Sequence, residues 1–335
     1  MKVVEIGDGH GVDCLKVVER PEPMPGPCQV IVRMKAFSVN YRDLLVVSGM
    51  GRWKPPVGRI PLSDGVGVVT TIGSGVARVK MGDRVAPIFY PKWLQGRVAA
   101  ENMGNALGGA DADGVLAEYV AVNEASLVPV PEHLSDEEAA TLPCAGVTAW
   151  NALTVLGAIE PGQCVVVLGT GGVSVFALQF AYVRGARVIV TSSSDEKLAR
   201  AKKLGATGLI NYKRQADWPK AVEELTDGRR ADYVVDTAGD LKEAIAALRV
   251  GGSVAFVGLL AGTTAEVDLV AFMGKSARVE AVDVGSREMF EAMNEAMAVH
   301  GMRPVVDRVF GFTELRAALL YLRERRHFGK ICLRA

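Results

Sequence analysis

A strand, a glycine turn and a helix can be read between Val165 and Arg184, and this succession constrains the chain more than anything else in it. The apolar run Val165-Val166-Val167-Leu168 reaches Gly169-Thr170-Gly171-Gly172-Val173-Ser174, and Val175 to Val183 continues with helix-compatible apolar spacing up to Gly185. Gly169 permits a tight turn, and Gly171 lets backbone approach an anion closely. The helix that follows directs unpaired N–H groups and the positive end of its dipole at the same place. A dinucleotide pyrophosphate fits such a cradle, with Gly169, Thr170, Gly171, Gly172 and Val173 as its expected contacts. The third glycine of the usual fingerprint falls at Ser174. Glycine turns also serve ordinary strand-to-helix packing, but here a second strand, Arg187 to Thr191, follows at the spacing of a βαβ unit.

The same region invites another interpretation, because Cys164 to Val183 is twenty residues without a charge, long enough to cross a bilayer. The glycines argue against one continuous helix. No cationic or aromatic belt flanks the segment and no second such stretch exists, so a buried strand followed by a buried helix is the better reading. Lys plus Arg equals Asp plus Glu at 38 each, which leaves no overall field to draw in nucleic acid or an anionic membrane. Met1-Lys2-Val3 runs into a strand-like segment without the order of a secretory signal, and a cytoplasmic location is the expectation. The five cysteines, Cys14, Cys28, Cys144, Cys164 and Cys332, are scattered, with no C-x-x-C pair, which disfavours a disulfide framework or a zinc knuckle.

The 335 residues suggest two domains. The first part is rich in short β-runs punctuated by Gly and Pro: Gln29 to Val39, Gly65 to Ile72, Asp83 to Ile88 and Val115 to Val122. Ser135-Asp136-Glu137-Glu138 resembles a capping box. After the glycine turn strand and helix alternate: Arg187 to Thr191, Asp195 to Leu204, Gly208 to Asn211, Trp218 to Leu225, Asp232 to Asp236, Leu241 to Leu248 and Ser253 to Gly258. This alternation predicts an α/β fold with a parallel, doubly wound sheet. The tail from Ser286 is helical over Glu288 to Val299 and Thr313 to Arg323, ends in Lys330-Ile331-Cys332-Leu333, and is expected to return to the first domain. Ala99 to Gly114 is small, polar and expected as a surface loop.

Over essentially its whole length the chain resembles the medium-chain dehydrogenase/reductase superfamily. The blocks that carry the resemblance are Asn40-Tyr41-Arg42-Asp43, Gly65-Val66-Gly67-Val68-Val69 with Ile72-Gly73-Ser74-Gly75-Val76, Gly82-Asp83-Arg84-Val85, Ala145-Gly146-Val147-Thr148-Ala149-Trp150, and the glycine turn. It implies a GroES-like β-rich catalytic domain over residues 1–144 and 286–335, and a Rossmann dinucleotide-binding domain over 145–285. Zinc-dependent alcohol dehydrogenases of this superfamily hold a catalytic zinc with Cys, His and Cys. Their pattern falls here on Asn40, Ser63 and Cys144, so one ligand of three survives. The lobe of their structural zinc corresponds to about Pro91 to Gly114, which contains no cysteine. Neither metal is expected. Cys144 reads best as a small buried apolar residue.

The zinc-free branch that the chain resembles, through Asn40-Tyr41-Arg42-Asp43 especially, contains quinone oxidoreductases and enone or enoyl reductases. Such reactions build negative charge on the substrate carbonyl oxygen, which preorganised donors can hold. Asn40 and Tyr41 are the expected donors, with Arg42 a weaker third. The plainer alternative packs Tyr41 into the core and uses Asn40 to cap a turn. Asp64 occupies the family's buried acidic position and is expected to organise the site.

Cofactor choice turns on the residue ending the second strand, where NAD-binding folds place an acid for the ribose hydroxyls. Here Ser192 holds that position, with Ser193 after it. A serine can donate to a 2′-phosphate that a carboxylate would repel, so NADP(H) is expected, with Lys197 and Tyr212 as further contacts. Alternatively the serines cap the helix beginning near Asp195, with Glu196 completing a capping box. On resemblance, Thr148, Thr237, Ala238, Gly258, Leu259, Ala281, Val282 and Asp283 line the remainder of the cofactor site, and Lys330 touches a cofactor phosphate. Relatives pair edge to edge through the sixth strand, here Val279 to Val284, which implies a homodimer. His10, His133, His300 and His327 show no acid/base pattern. The Met50 to Pro56 stretch departs from the short aromatic loop common in quinone reductases. Three functions stay open: a zinc-free reductase of conjugated carbonyls or quinones acting on a small-molecule substrate, an alcohol/carbonyl oxidoreductase, and an NADPH-holding sensor without turnover.

Overall fold

The computed structural model describes residues 1–9, 11–49 and 53–335, so His10 and residues 50–52 of the Met50–Pro56 stretch lie outside the described residues. In chain order the strands are β1 (Lys2–Ile6), β2 (Leu15–Glu19), β3 (Gln29–Val39), β4 (Asp64–Ile72), β5 (Arg84–Pro87), β6 (Tyr119–Asn123), β7 (Leu127–Pro129), β8 (Cys164–Leu168), β9 (Arg187–Ser192), β10 (Gly208–Asn211), β11 (Ala231–Asp236), β12 (Leu248–Phe256), β13 (Arg278–Ala281), β14 (Val306–Gly311) and β15 (Lys330–Arg334). Two compact units result, Met1–Val147 with Val284–Ala335, and Thr148–Asp283.

The first unit is β-rich and GroES-like, with the C-terminal tail built into it. Its sheet runs β14-β15-β3-β4-β5-β7, and β6 also pairs with β3. Strand β3 is central, with antiparallel partners β15, β4 and β6, which is why most of its residues are buried and apolar. Met34 and Phe37 of β3 pack in one core with Leu62, Leu116, Leu127 and Ile331. The β-run expected over Val115 to Val122 begins later, at Tyr119. Upstream, Val115 N and Leu116 N donate to Leu62 O and Pro61 O, so these groups tie down the segment before β4 instead.

The second unit is a six-stranded parallel sheet in the order β10-β9-β8-β11-β12-β13. Counted from β8 this is 3-2-1-4-5-6, the Rossmann order, which puts ligand contacts at the carboxyl ends of the strands. All five residues of β8 are buried, as a strand covered on both faces requires. The helix after the glycine turn spans Gly172–Val183. Strand β13 ends at Ala281, short of the expected Val284. Among the described residues, no helix is long and apolar enough to cross a membrane.

At the end of β12 the chain passes so close to the β11 end that a Cβ on Gly258 would lie 1.7 Å from Thr237 O. Gly258→Ala must push these strand ends apart and is expected to cost about 1–3 kcal/mol of stability by overpacking, read as a lower Tm together with weaker dinucleotide binding by titration calorimetry.

Candidate active site

The glycine turn is held by bonds its sequence only partly announces. Gly169 has φ +76°, which favours glycine, and its N–H donates to Thr191 O at the end of β9. A Cβ on Gly171 would meet nothing within 4 Å, and Gly171 gives the helix Gly172–Val183 no side-chain cap. Open space above an uncapped helix start suits a diphosphate. Thr237 donates its hydroxyl to Leu168 O (2.7 Å), and Ser174, in place of the third glycine, has its hydroxyl within donating distance of the same carbonyl (2.9 Å) and of Thr237 Oγ1 (3.0 Å), with one proton to give to one of them. One strand-end carbonyl therefore joins the first turn to the loop after β11. Sequence reading missed this, and it missed Asp236, which is fully buried and accepts from Ala238 N and Gly239 N. Burial raises the Asp236 pKa, opposed by those two N–H groups. A lone acid ending the apolar strand Tyr233-Val234-Val235 was the available signal.

Ser192 closes β9, is buried, and its hydroxyl accepts from Ser194 N; Tyr212 N donates to Ser192 O. The cap of the next helix is Ser194, whose hydroxyl accepts from Lys197 N. Glu196 is only the second helical residue, so the expected capping box does not form. Ser193, Lys197, Ala238, Gly258 and Leu259 are half-buried, and Thr170 is buried. Thr148 is buried with its hydroxyl on Asp283 O (2.9 Å), which ties the two ends of this unit together. Val282 is buried, while Ala281 and Asp283 are exposed. Val282 and Asp283 fall beyond β13, which corrects their expected place in the sixth strand.

In the first unit three chain segments meet. Asn40 follows β3, Asp64 begins β4 opposite Ser38 with Ser63 just before it, and β15 pairs Ile331 with Val39, which brings Lys330 level with Asn40. Lys330 is 3% exposed and donates from Nζ to Val39 O (2.8 Å) and Asn40 Oδ1 (2.5 Å). The ammonium is committed to carbonyl acceptors within the catalytic unit. Gly329 makes the approach possible, since its φ is +86° and a Cβ there would lie 2.4 Å from Val305 O.

Asn40 heads the helix Tyr41–Val47 but does not cap it with its side chain; its backbone N–H instead donates to Asp43 Oδ2 (2.7 Å). The amide is thereby left to the cluster. Tyr41 is half-buried and packs against the hydrophobic core through its ring. Arg42 is engaged by Leu107 O (2.7 Å) and Asp43, with its guanidinium 4.9 Å from the Phe89 ring centroid, so the weaker third donor is fixed to the neighbouring loop. That loop is not simply a surface loop, because Gly108 and Gly114 press on the backbone of Leu62. Leu62 is fully buried at φ +68°, a conformation costing about 1–3 kcal/mol that the packing enforces.

Asp64 is fully buried, and Ser63 donates to its Oδ1 (2.7 Å). Desolvation pushes its pKa up to about 6, against the pull of the Lys330 ammonium and the Asn40 amide, while Asp43 adds to the rise. Asn40 Nδ2 and Asp64 Oδ2 are each buried without a hydrogen bond of good geometry, although the amide is close enough to the Asp64 carboxyl to lower its pKa. Cys144 lies in a π-helical turn, Leu142–Gly146, and is half-buried rather than buried. Desolvation, reinforced by Asp64, holds its thiol well above the usual pKa. As donors for a divalent cation these groups fit poorly. The Asn40 oxygen faces an ammonium, the Ser63 hydroxyl is spent on Asp64, and the thiol resists ionising. Among the described residues no group of three or more His, Cys, Asp and Glu side chains could hold a metal ion.

Because the fold raises the Asp64 pKa from 3.8 to about 6, the native protein holds this proton more tightly than the unfolded chain does. The resulting stabilisation is full below about pH 4 and is lost as pH rises through the folded value. Lys330→Met removes the largest opposing charge, so the Asp64 carboxyl 13C titration is expected to move its midpoint above the wild-type one.

A family described as "Zinc-binding dehydrogenase" matches residues 172–298, and "Alcohol dehydrogenase GroES-like domain" matches residues 26–132. The chain is 40% identical over 333 residues to the zinc-type alcohol dehydrogenase-like protein C1773.06c of Schizosaccharomyces pombe, covering 97% of this chain and 96% of the relative. A solved NAD-dependent alcohol dehydrogenase superposes with a TM-score of 0.92 at 34% identity over 100% of both chains. The quinone oxidoreductase of Pseudomonas syringae pv. Tomato DC3000 superposes with a TM-score of 0.83 at 28% identity, over 100% of this chain and 99% of that one. Strand order, glycine turn and these likenesses agree: the chain belongs to the medium-chain dehydrogenase/reductase superfamily of nicotinamide-dependent oxidoreductases.

Proposed function

We propose that this protein is a zinc-independent, NADPH-dependent reductase of conjugated carbonyls or quinones. The observation that carries the reading is the Asn40 amide, a buried donor without a hydrogen bond of good geometry at a position where zinc relatives need a thiolate. The nicotinamide, when bound, supplies hydride to the electron-poor carbon. The chain's own part is to hold the substrate oxygen as charge builds on it. Asn40 Nδ2 is a donor fixed before substrate arrives, and such a donor typically lowers the barrier by about 2.7–4 kcal/mol. Tyr41 is a second donor on this reading, although its ring packs against the core.

For the cofactor, Ser192 at the end of β9 supports NADPH, since no carboxylate stands there to repel a 2′-phosphate. Lys197 and Tyr212 complete that pocket in the proposal. Exposed Leu269, Val270 and Met273 near the edge strand β13 support a homodimer through that edge, in a cytoplasmic protein. A second reading, alcohol/carbonyl interconversion with protein donors, draws on the alcohol dehydrogenase names of the relatives.

One assay separates these: loss of NADPH and NADH against quinones, enals and ketones, with and without chelator, on protein of measured metal content. NADPH oxidation by quinones or enals that chelator leaves unchanged is expected, and Asn40→Ala should lower kcat/KM by about 10²–10³. Chelator-sensitive alcohol oxidation would defeat the proposal, and no turnover with any acceptor would favour the sensor. Ser192→Asp should raise the NADPH Kd by about tenfold or more and spare NADH binding, measured by nucleotide fluorescence.

A further inference from the structure

Lys330 is more deeply buried than a solvated lysine ever is, and the reaction outlined above gives it no task. Its ammonium meets Val39 O and Asn40 Oδ1, and the carboxylates of Asp64 and Asp43 lie near enough to feel its charge. An amide has two ends, one accepting and one donating, and at a buried site the partner of one end decides where the other points. An ammonium has donors only. It can bond only the oxygen of Asn40, so it excludes the flipped amide in which NH2 would face it. The NH2 end is then directed away from Lys330, and that is the end left without a hydrogen bond of good geometry.

We propose that Lys330 is a positioning residue: by holding Asn40 Oδ1 it fixes the side-chain amide in the orientation that presents Nδ2 to the carbonyl oxygen of the substrate. The inference rests on the donor role given to Asn40 above. A positive charge on the amide oxygen also polarises the N–H bonds, which strengthens them as donors to a developing oxyanion. Two neighbours keep the lysine in place. Gly329 permits its approach, and Val39 O takes a second N–H, so the ammonium cannot swing out without leaving a buried carbonyl unpaired.

A double-mutant cycle of Asn40→Ala and Lys330→Met tests this, with turnover of the acceptor found above and NADPH affinity read side by side. The expected result is a kcat at least about tenfold lower in Lys330→Met, an NADPH Kd within about twofold of wild type, and no further loss when both changes are combined. Losses that multiply would overturn the proposal, as would a raised NADPH Kd with kcat intact, which would return the lysine to the cofactor. Lys330→Arg keeps the charge and should recover part of kcat; if the methionine variant does not fold, the arginine variant is read in the same cycle with Asn40→Ala. A readout independent of turnover is the 15N side-chain amide signal of Asn40, assigned by its loss in Asn40→Ala. Its shift and slow solvent exchange should change on substitution of Lys330, and an unchanged signal would overturn the placement. Should wild type oxidise NADPH with no acceptor, the proposed function falls while this signal still decides the role of Lys330.

Discussion

A lysine ammonium with almost no water around it must find all its compensation in the protein, and in this chain that requirement organises the catalytic unit. Burying an unpaired charge costs far more than any one contact returns. Lys330 therefore needs Val39 O, Asn40 Oδ1 and the nearby negative charge of Asp64 together. Those groups come from two parts of the chain: the junction of β3 with the helix after it, where Val39 and Asn40 are consecutive, and the start of β4. The C-terminal strand β15 brings the lysine to them by pairing Ile331 with Val39. A residue near the end of the sequence thus decides how residues near its beginning are arranged.

The cofactor unit rests on a different constraint, the accounting of backbone polar groups at the carboxyl edge of a parallel sheet. There Leu168 O is met by two hydroxyls, from Ser174 and Thr237, and Asp236 takes two N–H groups of the next turn. These bonds pull neighbouring loops together and leave the glycine turn open above the helix start. Had Ser174 been glycine, as in the common fingerprint, the helix could approach the strand without help. The serine adds a hydroxyl within bonding distance of the strand-end carbonyl.

Periodicity made the elements legible: the apolar blocks from Val165 onward become β8 to β12 with boundaries shifted by a residue or a few, because parallel buried strands leave an unbroken apolar signal. What failed to show was whatever depends on partners distant in sequence. Val115 and Leu116 look like the start of a strand, but their N–H groups are claimed by Leu62 O and Pro61 O. Val282 and Asp283 read as strand, while the sheet pairing stops at Ala281. Asn40 and Asp64 could be singled out by family pattern. The commitment of Lys330 to Asn40 could not, since some 290 residues separate them and a lone lysine in Phe328-Gly329-Lys330 carries no local sign of burial. The contacts of Arg42 were hidden for the same reason, because its partners Leu107 and Phe89 lie in loops with no periodic signal.

The composition of the polar cluster bears on which reaction it can serve. A divalent metal stabilises a localised alkoxide by direct coordination, which is what lets zinc relatives oxidise simple alcohols near neutral pH. An amide N–H backed by a single ammonium offers a weaker field at a longer range. Such a site is adequate where the substrate spreads its own charge, as an enone does over carbon and oxygen and a quinone over a ring. It is poorly matched to an isolated alkoxide. On the proposed reading, losing the metal and acquiring a delocalised acceptor are two sides of one electrostatic condition.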